Sequence, residues 1–228
     1  MLSDRIAAVD WDALPAPALR FPTRDPVAPL RALAAARNQV EVADAMSGLD
    51  STSIMHGHMA AVFPVAVAAA PFLLEMAEQP DVFPLARRSA LALLSDFMTL
   101  YPFAGFNRVG DTPLCCAVAD LVRARRTFLA SLGKHRRALI EETDGHWRFD
   151  VSETLAEGER LLAFGTLAGR LPAGPARGEE QRSRRIGTVS LEYPPVDESG
   201  EACLRLSGLA GVAHGAVLRP AECGEREH

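Results

Sequence analysis

Three small groups of side chains have types suited to chemistry. His56 and His58 flank Gly57 and offer two imidazoles, but a metal site needs at least one or two further ligands. His135 or His146 would have to be carried there by the fold, so the pair is expected to do structural or capping work at the start of a helix. Cys115 and Cys116 are neighbours, whereas Cys203 and Cys223 lie far down the chain, which is neither a disulfide framework nor a zinc-ligand spacing. The sequence therefore predicts reduced thiols, no metal and no cofactor. Cys115 and Cys116 fall near a helix start, where the positive dipole end lowers a thiol pKa. Adjacent residues on a helix nevertheless point about 100° apart, so the pair reads as buried packing rather than a joint reactive site.

The third group is cationic. Arg123, Arg125, Arg126, Lys134, Arg136 and Arg137 follow one another without an intervening acid. On a helix and its successor they would form a ridge suited to an anionic surface, against the simpler reading of a solvated charged face. A loop upstream adds Tyr101, Phe103, Phe106 and Arg108, the aromatic and arginine types that anchor protein interfaces. The expected partner-binding residues are thus Tyr101, Phe103, Phe106, Arg108, Arg123, Arg125, Arg126, Arg136 and Arg137. A formal charge of -5 argues against a general nucleic-acid binder and leaves an acidic protein as the better partner for the ridge. Glycine-rich phosphate loops, nucleophile elbows, HExxH and paired CxxC motifs are all missing. The chain reads as non-enzymatic.

Stepping from residues to elements, 228 residues with 48% hydrophobic content suffice for a medium-sized core. No apolar run reaches the eighteen or so residues of a membrane span, and the first residues do not resemble a secretory signal, so the expected compartment is the cytosol. After a proline-rich entry, residues 27–36 predict a short helix with Asp25 as N-cap and Pro26 at its first position. The alanine-rich run 58–76 places Val65, Ala66, Ala69, Phe72, Leu73 and Met76 three and four apart, a buried helix with a kink expected at Pro71. Residues 84–100 pair with it as a hairpin. A further helix begins after Pro113, with Leu114, Val118, Leu121, Val122, Arg125, Phe128 and Leu132 as its inner stripe. Gly133 would cap it and 135–142 would return as a short partner. Leu155, Leu161, Leu162, Gly165, Ala168 and Leu171 again follow helical spacing.

The expected fold is therefore mainly α, a HEAT/armadillo-like α-α superhelix of about three helical hairpins over residues 1–171. Residues 172–185, rich in proline, glycine and charge, predict a flexible linker or loop. In 186–228, the alternating segments 186–193 and 202–206 predict a β-hairpin cap, followed by a frayed tail.

Two segments carry a family resemblance. His58, Val62, Phe63, Ala69, Ala70, Pro71, Phe72, Leu73, Leu74 and Glu75 resemble a stretch of bacterial HEAT-repeat-like proteins, with Phe63 replacing a tyrosine and Ala70 a valine. Trp11-Asp12-Ala13-Leu14 followed by Pro29-Leu30-Arg31-Ala32-Leu33 resembles that family's opening. The resemblance implies a scaffold with a concave binding surface and no fixed chemistry. Some similar proteins are immunity proteins of polymorphic toxin systems, so it also implies a chain that occludes a cognate toxin's active site. The alternative is a HEAT-like DNA glycosylase, for which Asp144 would stabilise positive charge beside Trp147; the overall charge supplies no basic groove for it.

Overall fold

A computed structural model of the chain describes residues 2–17, 25–132, 137–157, 160–195, 199–209 and 211–227. Its first part is helical: α1 (Leu2–Ala7), α2 (Val27–Ala35), α3 (Gln39–Leu49), α4 (Val65–Glu78), α5 (Pro84–Thr99), α6 (Leu114–Arg123), α7 (Arg126–Ser131) and α8 (Arg137–Gly145). Local chemistry explains several ends. Pro26, expected as the first helical residue, is the N-cap of α2, and Asp25 before it accepts from the Val27 amide at 2.9 Å. Asn38 caps α3 by accepting from Glu41 N–H, while Glu41 reaches back to the Arg37 amide, a reciprocal arrangement that satisfies free donors at the helix start. Val65, Ala66, Ala69, Phe72, Leu73 and Met76 of α4 are all buried, as their spacing requires. Pro71 is exposed, and α4 runs through it as one helix rather than restarting.

Short strands brace the helices. β1 (Met55–His56) and β2 (Ala61–Val62) pair antiparallel, and β3 (Tyr101–Pro102) joins β2 in parallel. β4 (Arg108–Val109) and β5 (Thr112–Pro113) form a tight antiparallel ribbon just before α6. A single apolar core runs from Ile6 to Leu139 through these helices. None of the helices among the described residues is long and apolar enough to cross a membrane.

The remainder is a closed six-stranded barrel with its own core around Trp147, Phe149, Val189, Leu204 and Leu218. Its strands are β6 (Arg148–Glu157), β7 (Arg160–Ala168), β8 (Ala176–Glu180), β9 (Ile186–Tyr193), β10 (Glu201–Ser207) and β11 (Val217–Pro220). Around the wall the order is β10-β7-β6-β11-β8-β9, with β9 returning to β10. A last short helix, α9 (Ala221–Glu225), follows directly on β11.

This architecture corrects the expected fold. The chain is not a mainly α, HEAT/armadillo-like superhelix: eight helices enclose one core and a closed antiparallel barrel follows them. The helical spacing of Leu155 to Leu171 corresponds to no helix: these residues lie on or just after β6 and β7, and within β7 the burial alternates, with Ala163 and Leu167 buried while Phe164 and Thr166 are exposed. The hairpin expected at 186–193 and 202–206 exists as β9 and β10, which are two staves of the barrel rather than an appendage. Composition marked 172–185 as a linker, and β8 lies within it. The stripe drawn from Leu114 to Leu132 divides at Ala124 into α6 and α7. Gly133, Lys134, His135 and Arg136 lie outside the described residues.

Candidate metal centre

At the junction of helices and barrel, four buried side chains converge. Cys115, Cys116, His146 and Cys223 each present a ligand atom, and these atoms all lie within 4.8 Å of one another. His146 Nδ1 is 3.3 Å from Cys223 Sγ and 4.0 Å from Cys116 Sγ. Zinc bonds of about 2.3 Å to sulfur and about 2.0 Å to nitrogen make tetrahedral edges of roughly 3.5–3.8 Å, so small side-chain movements suffice to enclose an ion.

Each element places its ligand for a local reason. The β4–β5 ribbon leads straight into α6, and Pro113, extended and without an amide proton, starts that helix immediately before Leu114. Cys115 and Cys116 thereby occupy its first turn, where unpaired backbone N–H groups and the positive dipole end favour thiolates. His146 stands between α8 and β6, its carbonyl accepting at 2.8 Å from Arg123 Nη2, which also donates to the Thr143 carbonyl at 3.0 Å. Cys223 arrives on α9. That helix is tied back to the 101–113 region: Asn107 Nδ2 donates to Gly224 O at 2.8 Å, and Arg226 lies over the Tyr101 ring. The expected frayed tail is therefore docked, with Cys223 4% exposed.

The electrostatics of the cluster describe thiols crowded beyond their own capacity for charge. The Cys115 thiol is held well below the usual range because Cys116 and Cys223 donate hydrogen bonds to it, with His146 assisting. Cys116 and Cys223 are pushed up, first by giving those hydrogen bonds and then by burial. A cation placed among these sulfurs would favour their ionised forms. Cys203 lies apart, buried on β10, its thiol pushed up by burial and by Glu192.

Beside the tetrad sits Arg219 of β11, which is 3% exposed. Its Nε donates to Gln181 Oε1 and its Nη2 to Asp120 Oδ2, each at 2.7 Å. Its Nη1 is buried and has no hydrogen-bonding partner among the described residues. Burial opposes its charge, but Asp120 and then the Cys116 sulfur more than offset that, so its pKa is raised.

The sequence-derived candidates fall elsewhere or serve this frame. The His56 and His58 rings are 6.1 Å apart, and among the described residues no third ligand joins them. His146, once a conceivable third ligand for that pair, belongs with the cysteines. Although Cys115 and Cys116 leave the helix about 100° apart, their side-chain torsions bring both sulfurs within 4.8 Å of each other and of the His146 and Cys223 ligand atoms. Arg108 forms a buried bidentate pair with Glu179 of β8 at 2.6 and 2.8 Å. Arg123 binds Asp120, Arg125 pairs with Glu78 and Arg126 with Asp144. Arg123, Arg125 and Arg126 of the expected ridge are thus engaged with carboxylates of the same chain, while Arg137 is exposed at the start of α8. Phe103 stacks edge-on against Phe63 and lies 6.2 Å from Phe106, while Tyr101 is exposed. Asp144 and Trp147, the pair considered for base excision, are 6% and 1% exposed, one held by Arg126 and the other in the barrel core.

The tetrad escaped sequence reasoning because its members are 30 and 77 residues apart beyond the initial pair. The available signals were the doubled cysteine at a helix start and a cysteine in a tail otherwise read as unstructured. Comparison with family models, with curated proteins and with solved structures finds no match. The likeness to HEAT-repeat-like proteins is therefore withdrawn: no family model supports it and the barrel contradicts it.

Proposed function

We propose that this chain is a zinc protein in which Cys115, Cys116, Cys223 and His146 hold one Zn²⁺, and that the ion's role is structural. The reading rests on one observation, four buried ligand atoms of zinc-binding type within 4.8 Å. A Cys₃His set is a familiar closed zinc environment, and four protein ligands leave no position for the water that a catalytic zinc activates. The ion would join the first turn of α6, the α8–β6 junction and α9, three segments that the chain order keeps far apart. Three free thiols in one site also call for a reducing compartment. A chain whose metal is closed off in this way acts through its surface, so the protein-binding role expected from the sequence is retained as the proposal for what the scaffold does.

The test is metal content. Reduced full-length protein, purified without chelator and reconstituted with Zn²⁺, is expected to hold one equivalent by plasma emission, and Co²⁺ substitution to give the visible bands of a tetrahedral thiolate site. Free Zn²⁺ at about a thousand times the dissociation constant adds about 4 kcal/mol to the folded state, so chelation should lower the melting temperature measurably. Cys223→Ser, left with three ligands, should bind Zn²⁺ only weakly, so that the equivalent is no longer retained through purification and the chelator response is lost. A wild-type protein that stays metal-free after reconstitution sinks the proposal and leaves four packed thiols.

A further inference from the structure

Resting on that centre, we propose that Arg219 is its charge partner: Nη1 donates a hydrogen bond to the Cys116 thiolate, and the guanidinium fits the site to a divalent ion. A divalent ion with three thiolates carries one net negative charge. Buried without compensation, such a charge is costly. The Arg219 guanidinium, itself buried, makes the whole assembly neutral.

The geometry behind this is specific. Arg219 is fixed at two of its three nitrogens, by Gln181 through Nε and by Asp120 through Nη2. Asp120 is in turn held by Arg123 at 2.6 Å, and Arg148 approaches it at 3.7 Å. The third nitrogen, Nη1, is buried without a hydrogen-bonding partner among the described residues, and the Cys116 sulfur is among the groups the guanidinium interacts with. A buried donor left unsatisfied costs about 1–3 kcal/mol; a metal-bound thiolate is the acceptor that removes that cost. Arginine suits the task better than lysine because its planar fork engages Asp120, Gln181 and a sulfur at once. Groups in this outer position that orient metal ligands typically change affinity 10–100-fold when removed.

The experiment measures Zn²⁺ affinity by competition with a chromophoric chelator at one fixed pH, together with the Co²⁺ thiolate charge-transfer band. Arg219→Met is expected to weaken Zn²⁺ binding by about 10–100-fold and to shift that band, and Arg219→Lys to recover part of the affinity. Loss of the Asp120 and Gln181 contacts alone would also destabilise Arg219→Met, so the cycle is completed in a Cys116→Ser background. There the Arg219→Met penalty should shrink, because the sulfur that receives the hydrogen bond is gone. A penalty of equal size in both backgrounds, or Arg219→Met protein with wild-type affinity and an unshifted band, overturns the assignment while leaving the zinc centre standing. Wild-type protein that binds no metal overturns both together.

Discussion

At the residue scale, the protein places charges where their surroundings determine what they do, and Asp96 is an instructive case outside the metal centre. Its carboxyl is raised above the usual carboxylate range, first by burial in the face of α5 and then by the charges of Asp50 and Glu142. A raised carboxylate pKa means that the folded state holds the proton more tightly than the unfolded chain does. Stability therefore falls as pH rises through the folded pKa, and the penalty is fully present at neutral pH. Asp96→Asn is expected to melt higher than wild type at pH 7, with the gap narrowing as pH falls toward 4; parallel thermal melts across that range check it. A gap independent of pH would assign the effect to packing instead. Nothing in the sequence marks Asp96, because Asp50 comes from the end of α3 and Glu142 from α8.

At the element scale, the β6–β7 pair shows why a barrel was read as a helix. Its register slips between Val151 and Glu153, a bulge that bends the strand as closure of a barrel requires. Gly165 faces Val151 at that point, and a Cβ there would collide with the Asp150 carbonyl oxygen. That contact is backbone and cannot move aside, so Gly165→Ala should destabilise the protein by about 2–3 kcal/mol, within the range of severe single substitutions. Chemical denaturation of the two proteins measures it, and a loss below about 0.5 kcal/mol would mean that the bulge relaxes. The helices were legible because α4 and α5 bury residues on one face at intervals of three and four. In β6 and β7 the bulge breaks the alternation and chance leucine spacing replaces it. β9 keeps its alternation in the sequence, with Val189, Leu191 and Tyr193 set against Thr188, Ser190 and Glu192, and β10 has a short apolar run despite its own register shift between Cys203 and Leu204; both were legible as strands.

At the scale of the whole molecule, helices and barrel are joined by a few buried polar contacts. The Arg108–Glu179 pair ties the β4–β5 ribbon to β8, with side chains 11% and 3% exposed. Removing one member of a buried pair leaves an uncompensated charge and typically costs about 3–5 kcal/mol. Arg108→Ala should lose that much in denaturant unfolding, while the apolar double replacement Arg108→Met with Glu179→Met should cost markedly less. Equal losses would show that the pair contributes through shape rather than charge. Arg219–Asp120, Arg123 with the His146 carbonyl, and the Cys115–Cys116–His146–Cys223 tetrad lie at this same junction. The sequence by itself determined the helices whose apolar faces repeat within a few residues and the β9–β10 hairpin, because those depend on neighbours along the chain. Only the tertiary structure decided that six strands close into a barrel, that Arg108, Arg125 and Arg126 meet carboxylates from other elements of the chain, and that Cys115 and Cys116 come together with His146 and Cys223. Each of those outcomes depends on loop closures across tens of residues, and local periodicity carries no record of them.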